Sequence, residues 1–240
     1  MASFSGANAL EPAQSVRTVL AAEAPTNPWF SWDYVRDNSE QLQTALQEHV
    51  VLTVETMVIA LLIAFPIAIL AHRYTRLAVP ALSTTGVLYT IPSLALFAVI
   101  APFTGLRART VLIGLVMYAL LVLVRNILAG LDSVPDDVKE AAQGMGYGRA
   151  RMLWRVELPV ALPTIMAGVR VATVSTVALV TVGVIVGYGG LGLLIIQGFQ
   201  TFYRAEIVTA SVLTVALGLT LDLSLAGLTR LLTPWSRSRS

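Results

Sequence analysis

The sequence predicts an all-α membrane protein with five transmembrane helices. Of its 240 residues, 56% are hydrophobic and only 12% are charged, about half the charged share of an ordinary soluble domain. The chain also contains several uncharged runs of about 18 residues or more, which as helices are long enough to cross ~30 Å of hydrocarbon. A soluble protein with a very apolar core is the alternative, but such a core is built from shorter apolar elements.

The apolar runs divide the chain into segments. The five spans are predicted at about 50–71, 79–103, 110–131, 161–186 and 207–232, with a polar stretch at 133–159 between the third and fourth. Aromatic rings from Trp29 to Tyr34 are typical of a membrane interface, so residues 34–49 are expected to form an interfacial amphipathic helix. Residues 1–33 are expected to be a flexible extracytoplasmic tail, and residues 233–240 a cytoplasmic tail.

Basic residues between the spans predict the orientation. An odd number of spans puts the termini on opposite sides, and one arrangement gathers on a single side Arg73, Arg76, Lys139, Arg149, Arg151, Arg155, Arg230, Arg237 and Arg239. The positive-inside rule makes that side cytoplasmic, so the N-terminus is expected outside and both the 133–159 stretch and the C-terminus inside. Because these residues lie beside apolar spans, they indicate membrane lipid rather than nucleic acid as the partner.

The polar stretch reads DSVPDDVKEAAQGMGYGRARMLWRVELPVALP. Asp136 and Asp137 favour a helix start there, since negative charge suits the positive end of the helix dipole. Ala141 and Ala142 combine high helix propensity with little bulk, so the helix can lie close to another surface. Gly146 is expected to end or bend the helix after two turns.

This stretch resembles the signature of ABC importer permeases, which is E-A-A, three residues, G, nine residues and I-x-L-P. The matching residues are Glu140, Ala141, Ala142, Gly146, Leu158 and Pro159, and the one departure is Val156 in place of isoleucine. The resemblance implies the type I ABC importer permease fold, with a cytoplasmic coupling helix that docks into a groove of an ATPase subunit. Glu140 would be the polar anchor, the two alanines the close-packing face, and Gly146 the turn.

The resemblance also implies a set of partners in a prokaryotic cell membrane. These are a cytoplasmic ATPase dimer, a second copy of the permease or a paralogue, and an extracytoplasmic substrate-binding protein. The chain contains no G-x-x-x-x-G-K-[ST] motif, so no cofactor is expected in it, and ATP with Mg²⁺ would be bound by the ATPase. Gly187, Gly189 and Gly192 fit G-x-G-x-x-G, but apolar spans flank them instead of a strand and a helix, so no dinucleotide site is expected.

The cargo follows from a narrower resemblance. Residues 91–97 (IPSLALF), 158–174 (LPVALPTIMAGVRVATV) and 186–192 (VGYGGLG) resemble importers of osmoprotectants such as glycine betaine, choline and carnitine. A methionine or other amino-acid importer permease is the alternative, followed by an ATP-independent channel. With two histidines and no cysteine, no cluster of nucleophile, base or metal ligands is evident, so neither a catalytic nor a metal site is expected.

Three charged residues fall at similar depth inside predicted spans: Arg125, Arg170 and Asp222. Ionisable residues in lipid are functional candidates because burying their charge is costly. Asp222 is too short to reach the headgroups, so it is expected to pair with Arg125 or Arg170, and the pair is expected to rearrange as the inner gate opens. Snorkelling of both arginines to the inner headgroups is the alternative. His49, at the predicted water boundary, is expected to be solvated.

Two further patterns concern helix shape and packing. Pro66 and Pro92 fall inside spans and are expected to kink them. Gly168, Ala172 and Thr176 recur at four-residue spacing and predict a ridge of small residues for close helix packing.

Overall fold

The protein is described by a computed structural model over residues 27–235. Its helices are α1 (Trp32–Asp37), α2 (Ser39–Arg73), α3 (Thr75–Thr90), α4 (Ser93–Thr104), α5 (Ala108–Asp132), α6 (Asp136–Gly144), α7 (Arg149–Met152), α8 (Leu158–Val180), α9 (Leu191–Thr201) and α10 (Arg204–Leu232). A π-helical turn, Leu153–Glu157, joins α7 to α8, and a 3₁₀ helix, Thr181–Val186, follows α8. Most of the predicted N-terminal tail (1–26) and the end of the C-terminal tail (236–240) lie outside the described residues.

Within residues 27–235, four helical segments are long and apolar enough to cross a membrane: α2, α5, the continuous segment Arg149–Val186, and α10. Helices α3 and α4 pass the same test only together, and their axes are bent by 95°. Counting that pair as one span gives the five spans that the sequence predicts. The all-α membrane fold class is confirmed.

The second span differs from the continuous crossing predicted over 79–103. Because the ring of Pro92 disfavours helical conformation in the preceding residue, Ile91 is extended (φ −69°, ψ 126°) and α3 ends there. The Tyr118 hydroxyl of α5 donates a hydrogen bond to the Ile91 carbonyl at this break, which is how membrane helices tolerate an interruption. Pro66, in contrast, lies within α2, which continues to Arg73.

The segment before the first span also differs from the prediction. No separate helix covers 34–49, because α1 ends at Asp37 and α2 runs from Ser39 through the first span without a break. Residues 27–31 do not form a free tail either. The Asn27 side chain donates to the Phe202 carbonyl at 2.6 Å and accepts from the Arg204 amide at 2.9 Å, which ties this segment to the start of α10.

The core lies where α2, α5 and α8 pack together. Ala60, Ala64 and Ala68 of α2 are fully buried at four-residue spacing, so the backbone of α2 can approach its neighbours closely. The small-residue ridge on α8 also allows a close helix contact. A Cβ added to Gly168 would lie 2.3 Å from the Cβ of Asn126 on α5. The predicted small-residue packing of α8 is therefore confirmed.

The sequence predicts a solvated His49, but in the structure this residue is fully buried. Its Nε2 lies 3.0 Å from the Val177 carbonyl of α8, and since a carbonyl can only accept, Nε2 carries the proton. A Cβ added to Gly190 would lie 2.7 Å from the Cβ of His49, so the loop before α9 covers this residue. The residues that bury His49 are more than 120 positions away in sequence. The local sequence pattern around His49 therefore does not predict its burial.

Replacing His49 by alanine is expected to lower the free energy of unfolding by about 1–3 kcal/mol, because it removes a buried hydrogen-bond donor to Val177. Denaturant-induced unfolding of the purified protein in detergent measures this effect. His49→Gln is the matched control, since its amide also donates, and it should lose less. Unchanged unfolding of the alanine variant would contradict a structural role for this hydrogen bond.

Candidate functional site

Helix α6 begins where the sequence predicts. It starts at Asp136, directly after the extended residue Pro135 (φ −60°, ψ 142°), and both Asp136 and Asp137 lie in its first turn. Lys139 Nζ lies 3.2 Å from Asp136 Oδ1, one turn further on. The first turn thus places two carboxylates at the positive end of the helix dipole.

The end of α6 is a Schellman turn centred on Gly146. This glycine has φ +79°, a left-handed conformation that residues with a Cβ adopt only with strain. The Gly146 amide donates to the Gln143 carbonyl at 2.9 Å, and the Tyr147 amide donates to the Ala142 carbonyl at 3.1 Å. These two bonds satisfy carbonyls that would otherwise be left free at the helix end. The turn predicted at Gly146 is confirmed.

The two alanines of α6 do not share a face. Ala142 is buried within the chain, whereas Ala141 and Glu140 are exposed, because successive residues of an α-helix point about 100° apart. Helix α6 packs against α7 and the π-helical turn. The small side chain of Ala142 therefore serves packing inside this chain, which differs from the shared docking face implied by the resemblance.

Large apolar side chains near α6 are exposed, and sequence reasoning missed them. Met145 and Trp154 are 69% and 65% exposed, and Val138 is exposed as well. Together with Glu140 and Ala141 we call these residues the loop surface. Exposed apolar groups among polar ones mark sites of protein contact. The available sequence signal was the presence of methionine and tryptophan in an otherwise polar stretch.

Leu158 and Pro159 lie where the loop joins the membrane domain. Pro159 has no amide hydrogen, and in a regular α-helix its ring would clash with the carbonyl four residues earlier. The π-helical turn widens the backbone immediately before it, and the Leu158 amide bonds to the Leu153 carbonyl, five residues back. Leu158 itself packs against the core. Trp154 of the loop surface is thus joined to α8 by helical backbone that is continuous from Arg149, and α6 connects to this segment through the turn at Gly146.

His72 forms a second connection between the loop and the membrane helices. Its Nδ1 lies 2.6 Å from Asp132 Oδ1, at the end of α5, and its Nε2 lies 3.7 Å from Glu157 Oε1 of the π-helical turn. Since a carboxylate accepts, Nδ1 carries a proton. A groove of about 610 Å³, lined in part by His72, Gln143, Tyr147 and Trp154, lies beside this contact. In the sequence, His72 is followed by Arg73 and Arg76, and this basic segment does not by itself predict the contacts of His72.

The structure brings together two of the three predicted intramembrane charges. Arg170 Nε lies 2.8 Å from Asp222 Oδ1, and Arg170 Nη2 lies 2.7 Å from Asp222 Oδ2. This paired geometry is the strong form of an arginine–carboxylate contact, and it joins α8 to α10. Arg125 is exposed, and no carboxylate among residues 27–235 lies within ion-pair distance of it. Of the two partners predicted for Asp222, the structure selects Arg170.

None of these groups forms a metal site. Among residues 27–235, no set of three or more histidine, aspartate or glutamate side chains converges closely enough to hold a metal ion. The loop surface is a patch of exposed apolar and polar side chains, and the Arg170–Asp222 pair links α8 to α10.

Known proteins resemble this chain over most of its length. A family model for the binding-protein-dependent transport system inner membrane component matches residues 56–238. The glycine betaine/carnitine/choline transport system permease protein OpuCD of Bacillus subtilis is 34% identical over 207 residues, which cover 86% of this chain and 90% of that protein. The osmoprotectant import permease protein OsmW of Salmonella typhimurium is 32% identical over 206 residues, covering 84% of this chain and 96% of that protein.

Solved structures support the fold. A structure of the MetNI methionine ABC transporter in an inward-facing conformation superposes with a TM-score of 0.73, covering 82% of this chain and 98% of that one at 21% identity. The type I ABC importer permease fold is thereby confirmed. The family model and the apolar helices show that the chain is a multi-pass membrane protein. The chain belongs to the binding-protein-dependent transport system inner membrane components, which are not enzymes but the permease subunits of ABC importers and work with a separate ATPase and a binding protein.

Proposed function

We propose that this permease imports osmoprotectants that carry a quaternary ammonium group, such as glycine betaine, choline or carnitine. The observation that carries the proposal is the agreement among relatives. The choline transport system permease protein OpuBD of Bacillus subtilis, 33% identical and covering 86% of this chain and 92% of that protein, joins the two relatives described above. The likeness to the methionine transporter, at 21% identity, concerns the fold and does not favour methionine as cargo.

The proposed machine contains two ATPase subunits, this chain paired with a second copy or a paralogue, and an external binding protein. ATP with Mg²⁺ is bound by the ATPases and no cofactor by this chain. The exposed Val138, Met145 and Trp154 support docking of an ATPase on the loop surface. Movement of the docked loop would reach α8 through the helical segment that begins at Arg149 and would reach α2 and α5 through His72.

The proposed orientation has the N-terminus outside and the C-terminus in the cytoplasm. Arg73 ends α2, Arg76 follows in the first turn of α3, and Arg230 lies in the last turn of α10. The hydrogen bond of His72 with Asp132 places the end of α2 beside the loop at 133–159. These basic residues therefore support a cytoplasmic side shared by the loop and the end of α10.

Uptake assays test the proposed cargo. In cells that lack their own osmoprotectant and methionine importers, the chain is expressed with its ATPase and binding protein, which its neighbouring reading frames should encode. We expect saturable uptake of labelled choline, glycine betaine or carnitine that is lost when the ATPase is omitted. Uptake of methionine alone would favour the amino-acid importer, and uptake that persists without the ATPase would favour a channel.

A further inference from the structure

A polar cavity of about 440 Å³ lies at the end of the molecule remote from the loop surface. It is lined by residues of α1, α2, α9 and the start of α10, among them Tyr34, Tyr203 and Glu206. Helix α2 begins beside this cavity and ends at the opposite side of the molecule, next to His72. A volume of this size is typical of small-molecule sites.

The cavity is acidic and continues into a larger acidic groove. Asp33, Asp37 and Glu206 line the cavity, and the adjoining groove of about 1000 Å³ shares Asp37 with it and adds Glu40 and Glu48. No lysine, arginine or histidine lines either space within the described part of the chain. We call the two together the outer groove. Its electrostatic field attracts cations.

Two buried polar side chains point to a ligand in the cavity. Glu206 is only 5% exposed, and among residues 27–235 no basic side chain lies within ion-pair distance of its carboxylate, a costly arrangement for a buried charge. Tyr34 is 7% exposed, and its hydroxyl faces the Glu206 carboxylate without forming a hydrogen bond of good geometry. Burial and the nearby Glu206 carboxylate raise the pKa of Tyr34 to about 12, so its ring remains neutral.

Aromatic rings complete the chemistry of the cavity. The centroids of the Tyr34 and Tyr203 rings lie 5.4 Å apart, with their planes at 77°, so the two rings form a corner beside Glu206. Aromatic faces attract cations, and quaternary ammonium groups are bound in this way between aromatic rings and carboxylates. An inorganic cation would require converging oxygen ligands, and no metal-binding cluster exists among residues 27–235.

We propose that the outer groove binds the quaternary ammonium group of the cargo at Glu206, Tyr34 and Tyr203. The permease itself then selects for this group, in addition to any selection by the binding protein. The acidic groove guides the cation inward, Glu206 supplies the opposite charge, and the two rings contact the methyl groups. This inference rests on the proposed function for its choice of cargo, whereas the cavity itself does not depend on it.

Equilibrium binding of labelled tetramethylammonium to the purified permease–ATPase complex, without binding protein, tests the site. Wild type should bind saturably, and Glu206→Gln should weaken binding by about tenfold or more. Tyr203→Leu should also weaken it, whereas Tyr203→Phe, which keeps the ring, should not. Glu55→Gln is the matched control, because it makes the same chemical change on an exposed residue of α2 outside the outer groove.

Folding is checked separately. Glu206→Asp keeps the charge, so it should retain more tetramethylammonium binding than Glu206→Gln. Each variant must elute from size-exclusion chromatography as an intact complex with the ATPase.

Four outcomes separate this inference from its rivals. Failure of wild type to bind tetramethylammonium, while the full system imports choline, would overturn the site and leave the proposed function standing. Equal displacement by K⁺ or Na⁺ would overturn it in favour of an inorganic cation. Loss of binding-protein association in Glu206→Gln, with unchanged tetramethylammonium binding, would overturn it in favour of a docking contact. Specific tetramethylammonium binding without import of any quaternary amine would support the site and contradict the proposed cargo.

Discussion

Replacing Gly146 by valine is expected to reduce ATP-driven uptake by about tenfold or more, because a β-branched residue at φ > 0 carries strain of ~1–3 kcal/mol. The native φ is +79°. To relieve the strain, the chain would have to give up the two hydrogen bonds that close the end of α6 at Gln143 and Ala142. The loop surface would then be presented to the ATPase at a different angle. Uptake of labelled cargo and co-purification of the ATPase measure the two consequences.

Gly144 provides a matched control two residues away. It is the last residue of α6, and a Cβ added at either Gly144 or Gly146 would meet no atom within 4 Å. Of these two glycines, only Gly146 has a positive φ. The Gly144→Val variant should therefore retain most of the uptake activity. Gly146→Asn should also keep most of it, because asparagine tolerates the left-handed conformation. Wild-type uptake by Gly146→Val, or equal loss in both valine variants, would argue against the turn as the coupling element.

The ends of α6 are predictable from sequence because they depend on local chemistry. Carboxylates at Asp136 and Asp137 mark its start, and Gly146 supplies the turn that ends it. The burial of Ala142 is not predictable in this way, since it depends on how α6 packs against α7 and the π-helical turn. The contact of His72 with Asp132 joins residues 60 positions apart, and no local pattern indicates it.

The same distinction applies to the membrane helices. Span positions follow from hydropathy, since each span must present an uncharged run to lipid. Hydropathy does not predict where the helix axis bends within a span. Pro92 predicts a kink, but the break and the 95° bend between α3 and α4 also depend on tertiary contacts such as that of the Tyr118 hydroxyl with Ile91. His49 shows the limit for buried polar groups, because its partner, Val177, lies on another helix.

Removing either member of the Arg170–Asp222 pair is expected to reduce uptake by about tenfold, because the partner charge is then left unpaired within the membrane domain. The pair links α8, which begins at the end of the 133–159 loop, to α10. We infer that the link rearranges as the inner gate opens, so both the closed and the open arrangement depend on it. Uptake by Arg170→Gln, Asp222→Asn and the double variant measures the coupling between the two residues.

The double variant should transport better than either single variant, because removing both charges leaves none unpaired. Arg125→Gln is the matched control: Arg125 has no carboxylate within ion-pair distance among the described residues, so its replacement should leave uptake close to wild type. This comparison also separates pairing from snorkelling. If both arginines only reached the headgroups, Arg125→Gln and Arg170→Gln would change uptake to the same extent. If the effects of the two single changes simply multiply in the double variant, or if Arg125→Gln loses as much uptake as Arg170→Gln, the pair has no special role in gating.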